Sequence, residues 1–516
     1  MPAMVVIPTN GRVTRRVAVR KVHSILSNRL KNGEEQFLVR WDTTNSTNKP
    51  PLSWHGLNEL ARCLELVQEY LEVRQKSRKT LPSHVQASKK RKSPDSETEF
   101  ERQPSPLDRR LEQTSRTPSS RSTSVSSAAT SSSAPVDVYN GVLAEDEHGF
   151  RYCRSASGPD VVEIDIRNVP TLEMLRTAQR SKVENANVLI RAEYIRRLEK
   201  IPGRRVSLNN IYDASTPSLR FRYIPDYVLR EGVFRADPAT QEGCQECSPH
   251  MGRDIGCEYT KKCSCLEYAA VDVSRMDAQM AKEYETAKAT GGNLMGFPKK
   301  FPYYAEGTKI QRAGCLVPFY LHSRRPIYEC NDNCNCGPRC RNKNVQFGRT
   351  VELEIFKTGS GAGRGWGLRC PQPLHEGQFV DTYRGEIITD AEATRREDAA
   401  HSKTKASYLY SLDKFAESEG LAPEELYVVD GEFMGGPTKF MNHSCEPNCR
   451  QYTVSYNKHD CRVYDIAFFA CREIPAGEEL TFDYLDKEDG EEIDDPGEGA
   501  IPCLCGAAKC RKWLWT

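Results

Sequence analysis

Nine of the 20 cysteines in this chain fall in two blocks, five at 244–265 and four at 330–340. The first block reads "CQEC" (Cys244, Cys247), then Cys257, then "CSC" (Cys263, Cys265); the second, "CNDNCNCGPRC", holds Cys330, Cys334, Cys336 and Cys340. Nine thiolates do not divide into independent four-ligand sites. They do serve three tetrahedral zinc ions if three sulfurs bridge, because three such metals need twelve bonds and six terminal with three bridging sulfurs supply twelve. Whatever the chain folds into must bring both blocks together across a long insertion. Disulfides are the alternative reading. No charged-then-apolar amino terminus marks a secretory signal, which disfavours disulfides and points to metal or catalytic thiols.

A second set, "CLCGAAKC", supplies Cys503, Cys505 and Cys510. Three thiolates leave a zinc one ligand short, and Cys445 in "KFMNHSCEPNC" (439–449) is the candidate fourth. His443 and Cys445 also admit a nucleophile–base pair, as in a cysteine hydrolase, and the ligand count favours the metal reading. Zinc binding of this kind is worth on the order of 10 kcal/mol and decides whether such a tail folds. Cys315 belongs to neither set and reads as a small buried hydrophobe.

The 516 residues allow two or three domains. No run of 18 apolar residues appears, so no membrane span is expected. The near-neutral net charge of +2 hides an asymmetry: residues 1–120 hold 22 Lys and Arg against 13 Asp and Glu, and residues 486–498 hold eight acids and one lysine. A basic front half suits contact with nucleic acid or an acidic surface. Residues 81–140 read as a disordered basic and Ser-rich linker ("SSRSTSVSSAATSSSAP") whose "KKRK" (Lys89 to Lys92) suggests nuclear import.

Ahead of the linker, residues 10–80 read as a small α+β module. "RVAVRKVHSIL" and "EEQFLVRW" are the expected strands, and "GLNELARCLELVQEYL" the expected helix, with Leu57, Leu60, Leu64, Val67 and Leu71 at helical spacing. This order resembles a chromodomain, whose aromatic cage holds methylated lysine by cation–π attraction. Trp41 matches one cage position, Val17 stands at the first, and "DTTNST" offers no aromatic for the third. The module is therefore expected to serve either methyl-lysine or partner contacts with chromatin-adaptor proteins. Residues 141–204 form a connecting region, with "TLEMLRTAQRSKVENANVLIRAEYIRRLEK" helical. Beyond 244 the pattern is mostly β with few helices: "VELEIF", "FVDTYRGEII" and "RVYDIAFFACREI" read as strands, and "TDAE" (Thr389 to Glu392) as a capping box opening a helix.

With the two cysteine sets, the ordered motifs "GRGWGL", "YRGEII", "YLYSLD", "FMNHSCEPN" and "ELTFDY" resemble a histone lysine methyltransferase of the heterochromatin class that acts on lysine 9 of histone H3. "YDASTPSLRFRYIPDYVL" resembles that family's lead-in. The resemblance implies a pre-SET segment with the nine-cysteine zinc cluster at 205–345, a SET catalytic domain at 346–487 and a post-SET zinc site at 488–516. The implied SET fold is a set of small curved sheets with a threaded carboxy-terminal segment, a rare arrangement that brings "NHSC" beside "ELTFDY".

Transfer of a methyl from S-adenosylmethionine to lysine needs a neutral amine, against a free pKa of about 10.4. Desolvation and a nearby sulfonium both favour deprotonation, and placement supplies much of the rest. The resemblance implies Tyr484 as catalytic tyrosine and Tyr408 as the group orienting the lysine amine. It implies Asn442 and His443, with the backbone of Gly365, Trp366 and Gly367, as cofactor holders. Phe482 stands where members carry Phe or Tyr; Phe leaves room for methylated amines, so di- or trimethylation is expected. A phosphate loop is the other reading of "GSGAGRGWG", but no register matches G-x-G-x-x-G or G-K-[ST]. The implied partners are the histone H3 tail and nucleosomes, in nuclear heterochromatin.

Two stretches depart from the family pattern. Lys439 stands where Arg is usual, and lysine lacks the planar fork of a guanidinium. "DGEFMGGPTK" lacks the usual Asn at Gly436 and carries Pro437. The acidic "DKEDGEEIDDPGEGA" joining SET to post-SET reads either as a solvated linker or as an attractor of a basic tail.

Overall fold

The computed structural model describes residues 22–41, 52–80, 170–248, 257, 263–305, 312–359, 363–400, 408–486 and 500–515, with four short strand segments at Ile7–Thr9, Arg12–Thr14, Leu143–Ala144 and Arg151–Tyr152. It comprises two compact units, Met1–Lys182 and Val183–Thr516. Val17, the "DTTNST" stretch, the 81–140 linker with its "KKRK", and the acidic run from 487 to 499 lie outside the described residues.

In the first unit an antiparallel sheet takes β1 (Val22–Lys31), β2 (Glu34–Trp41) and β3 (Leu52–Gly56) in that order. Asn32 and Gly33 both adopt positive φ, at 52° and 78°, which is what a two-residue hairpin with the twist of its strands requires. The third strand was not among the expected elements; it is five residues long and follows two prolines. Helix α1 (Leu64–Thr80) begins seven residues later than its apolar spacing, which starts at Leu57, suggests. Leu57 and Leu60 are buried, but in turns: Leu60 N–H donates to Gly56 O and Cys63 N–H to Leu60 O. The helical reading of 171–200 also divides. α2 (Leu172–Arg180), capped by the Thr171 hydroxyl, ends at Ser181, and its Met174 packs with Leu38, Leu52 and Trp54.

The second unit opens with α3 (Asn185–Leu198), which buries Ile190, Tyr194 and Leu198. It continues through β4 (Val206–Asn209), β5 (Leu353–Lys357), β6 (Trp366–Arg369), β7 (Phe379–Tyr383), β8 (Glu386–Thr389), α4 (Asp390–Ala400), β9 (Leu409–Ser411), β10 (Tyr427–Asp430), β11 (Asn442–His443), β12 (Cys449–Ser455), β13 (Asp465–Ala470) and β14 (Glu479–Phe482). Three small sheets result. One runs β11–β14–β6–β5–β4, one runs Val228–Leu229, β8, β10, β9, and one runs Ile327–Tyr328, β12, β13, β7. The unit is thus mostly β with few helices.

"FVDTYRGEII" is two strands in two sheets, with β7 against β13 and β8 against β10. Arg384 sits at the corner, its guanidinium held by both oxygens of Asp465 at 2.5 and 3.0 Å. Thr389 caps α4 through its hydroxyl, 3.3 Å from the Glu392 N–H, while the Glu392 carboxylate takes Arg395 and Arg396. Ile355, Leu368, Val380, Ile387, Val429, Phe468 and Phe469 are wholly buried where the sheets meet. No helix among the described residues is long and apolar enough to cross a membrane.

Candidate functional site

The nine cysteines of the 244–265 and 330–340 blocks converge. Neighbouring sulfurs lie 3.8 Å (Cys244 to Cys257), 3.7 Å (Cys247 to Cys257), 3.4 Å (Cys257 to Cys330), 3.4 Å (Cys265 to Cys334) and 4.0 Å (Cys330 to Cys340) apart. A disulfide needs about 2.05 Å. Zinc–sulfur bonds of about 2.3 Å in a tetrahedron put sulfurs about 3.8 Å apart, which these distances match. Three overlapping four-cysteine groups can hold a metal ion: Cys244 belongs to all three, Cys257, Cys265 and Cys330 to two each, and Cys263, Cys334 and Cys336 to one. Shared sulfurs are what bridging demands. Cys315 is buried away from these groups, and burial pushes its thiol up to about 11.

The fourth group is Cys445, Cys503, Cys505 and Cys510, with all four sulfurs within 4.8 Å of one another. His443 Nε2 lies 3.3 Å from Cys445 Sγ, a distance that would also suit a nucleophile and its base. Three further sulfurs around Cys445 favour the ligand role.

Beside this group, β11 runs parallel to β14, pairing Asn442 with Thr481 and His443 with Phe482. Ser444 N–H donates to Phe482 O at 3.0 Å, and Tyr484 N–H donates to His443 Nδ1 at 3.1 Å. "NHSC" and "ELTFDY" are therefore adjacent. Asn442 donates its carboxamide hydrogens to Trp366 O at 3.1 Å and Glu479 Oε1 at 2.7 Å, joining β11 to β6. A side chain at Gly367 would strike both Glu479 Oε1 and the Phe356 ring at under 3 Å, so only glycine permits this approach. Arg364 pairs with Glu479 at 3.0 Å, and its Nε is buried without a partner next to Gly365 and Trp366.

The Tyr484 hydroxyl donates to Met441 O at 2.9 Å. Burial raises its pKa, and Tyr408 and Glu479 add to the rise. Burial likewise raises the Tyr408 phenol. Phe482 is buried with its ring 4.8 Å from Tyr484 and 4.7 Å from Phe468. His443 stands edge-on to Tyr484 at 5.4 Å, and burial holds its imidazole down to about 4, so it stays neutral. Lys439 Nζ sits 4.7 Å from the Tyr408 ring centre and 4.3 Å from that of Phe221, and it donates to the carbonyls of Gly431 and Glu432. Burial lowers its pKa to about 8 against the pull of Glu432 and Asp430.

Several contributors have no role assigned from sequence. Phe221 lies in the lead-in "YDASTPSLRFRYIPDYVL", to which no site residue is assigned, yet it packs on Phe440 and Lys439. Glu479 and Asp483 lie inside "ELTFDY" without a role assigned to them there, and Arg511 follows the last cysteine. Their role comes from partners far along the chain.

A model of the Pre-SET motif matches residues 198–343, and one of the SET domain matches residues 365–485. The H3 lysine-9 specific histone-lysine N-methyltransferase KMT1 of Fusarium mangiferae is 40% identical over 303 residues, covering 57% of this chain and 83% of that protein. The H3 lysine-9 specific enzyme dim-5 of Neurospora crassa is 40% identical over 318 residues, covering 60% of this chain and 88% of that protein. The solved structure of the Neurospora SET domain protein DIM-5, a histone lysine methyltransferase, is 36% identical with a TM-score of 0.44, covering 57% of this chain and 99% of that one. On the strength of these relatives, the chain belongs to the H3 lysine-9 specific histone-lysine N-methyltransferases.

Proposed function

We propose that this chain methylates lysine 9 of histone H3 to the di- or trimethyl state, with Tyr484 and Tyr408 at the reacting amine and Phe482 setting the number of methyls. The observation that carries the reading is the Tyr484 hydroxyl. It gives its hydrogen to Met441 O, so its lone pairs remain for an amine N–H or a methyl C–H. Its raised pKa keeps it a neutral phenol, hence an orienting group and not a general base.

S-adenosylmethionine supplies the methyl on a sulfonium centre. The unpartnered Arg364 Nε beside Gly365 and Trp366 suits its carboxylate, and Asn442 and His443 line the same edge. Around the amine, Tyr408, Phe482 and Tyr484 exclude water, which disfavours the ammonium form. Lys439 adds a positive charge on the Tyr408 ring that pushes in the same direction. Zinc fits both cysteine sites by their sulfur spacing, three ions shared by the nine cysteines and one held by Cys445, Cys503, Cys505 and Cys510. We further propose action in nuclear heterochromatin, with the amino-terminal unit contacting chromatin-adaptor proteins.

The test incubates the zinc-loaded chain with S-adenosylmethionine and an H3 tail peptide, beside Tyr484→Phe, and reads products by tandem mass spectrometry. Methyls should accumulate on lysine 9 and fall at least about 100-fold in rate in the variant, the scale of a lost preorganised group. Bound cofactor and full zinc with no methylation would instead mark a catalytically lapsed chromatin binder.

A further inference from the structure

Arg511 directly follows the last cysteine of the carboxy-terminal metal group. Its guanidinium grips Asp483 twice, Nη1 to Oδ2 at 2.7 Å and Nη2 to Oδ1 at 2.5 Å, and Asp483 directly precedes Tyr484. Its backbone N–H lies 3.4 Å from Cys445 Sγ. One residue therefore holds a metal-ligating sulfur and the carboxylate next to the tyrosine. A second link runs in parallel through His443. Its Nδ1 accepts the Tyr484 N–H, so the ring proton is on Nε2, which faces Cys445 Sγ at 3.3 Å. Asp483 is buried and also touches His443 Nδ1 at 3.4 Å. A bidentate arginine–carboxylate pair fixes direction as well as distance, and removing one partner leaves a buried charge uncompensated.

We infer that Arg511 is a positioning residue that transmits the integrity of the Cys445, Cys503, Cys505 and Cys510 metal site to Tyr484 through Asp483. The inference rests on the assignment of Tyr484 made above. Coupling between two binding sites is reciprocal. A ligand that holds the Tyr484 end in place therefore slows metal loss at the cysteine end. A plain structural tether behaves differently: its removal lowers stability or zinc content and leaves turnover of the folded fraction unchanged.

The experiment uses the full, zinc-loaded chain with Arg511→Gln and Arg511→Lys; lysine keeps the charge and loses the fork. Three quantities are read: zinc per chain, the rate of zinc release to a coloured chelator with and without S-adenosylhomocysteine, and kcat and KM on an H3 peptide. In Arg511→Gln, zinc content should be retained, kcat should fall about tenfold, and KM for the methyl donor should move less than about threefold, a loss confined to the transition state. Arg511→Lys should fall between the two. S-adenosylhomocysteine should slow release of one zinc at least about fivefold in the wild type, within the usual range of such coupling, and not in Arg511→Gln.

Unchanged kcat with zinc retained, or equal protection in wild type and variant, overturns the inference. If Arg511→Gln loses its metal or unfolds, Asp483→Asn reads the same link with Arg511 in place, and wild-type kcat there overturns it. A wild type that binds S-adenosylhomocysteine but leaves H3 unmethylated defeats the proposed function, while the release rates still judge Arg511.

Discussion

Phe482 is buried and Lys439 partly buried at the candidate site, and the roles proposed for them act through packing. The Phe482 ring is packed against those of Phe468 and Tyr484. Phe482→Tyr adds a hydroxyl there, and the trimethyl product should fall about tenfold or more in favour of the monomethyl, a discrimination typical of one added group in a tight pocket. Intact-mass analysis of the H3 peptide reads this directly. Lys439 carries its charge under cover, with a folded pKa of about 8 against an ordinary 10.5. Between those values the unfolded chain holds the proton and the folded one does not, so this group makes stability rise with pH across the window and contributes no gain below it. Lys439→Met lacks the term. The stability of the wild type relative to Lys439→Met should therefore increase from pH 8 to 10, by at most about 1.4 kcal/mol per unit. Denaturant midpoints of the two proteins at both pH values check it, and a flat difference would place the ammonium in water.

At the level of elements, the active edge depends on how the 442–449 segment docks on β14. Asn448 is buried and does most of that joining: its Oδ1 accepts the Thr481 N–H at 2.9 Å, and its Nδ2 donates to Glu479 O and Glu478 Oε1, both at 2.8 Å. Asn448→Ala orphans a buried N–H and a buried C=O, so it should cost about 2 to 4 kcal/mol. Activity should fall with stability, read by thermal melting beside the methylation rate. This docking shows which parts of the site the sequence reveals. Cysteine spacing and motif order are legible because metal geometry and local backbone chemistry act over a few residues. The parallel pairing of β11 with β14 is implied by family resemblance and by nothing in the spacing. Glu479, Asp483 and Arg511 take their meaning from partners 28 to 115 positions away, as in Arg511 with Asp483 and Glu479 with Arg364. The late start of α1 has a similar cause. Leu57 and Leu60 keep helical spacing, yet Gly56 and the strand before it impose turns.

At the scale of the whole molecule, the question is where the catalytic part begins. The Pre-SET match starts at 198, and the family's lead-in motif suggests a boundary near 205. The second compact unit begins earlier, at Val183, and α3 is bound into it. Tyr194 donates to or accepts from the Tyr223 hydroxyl at 2.6 Å, Arg197 donates to Leu219 O, and Ile190, Tyr194 and Leu198 are almost wholly buried. Tyr223 pairs in turn with Gly435, and its neighbour Phe221 packs on Phe440 and Lys439, so α3 supports the wall of the candidate site. A fragment starting at Val183 keeps these contacts; one starting at Arg205 exposes three large apolar side chains' worth of surface. At about 1.5 to 3 kcal/mol for each buried side chain, the shorter fragment should lose several kcal/mol, a large share of ordinary domain stability. The 183–516 fragment should match the full chain on an H3 peptide, while 205–516 should melt at least about 10 °C lower, the shift expected for such a loss in a domain of this size. Equal melting temperatures would show that α3 merely rests on the surface it covers.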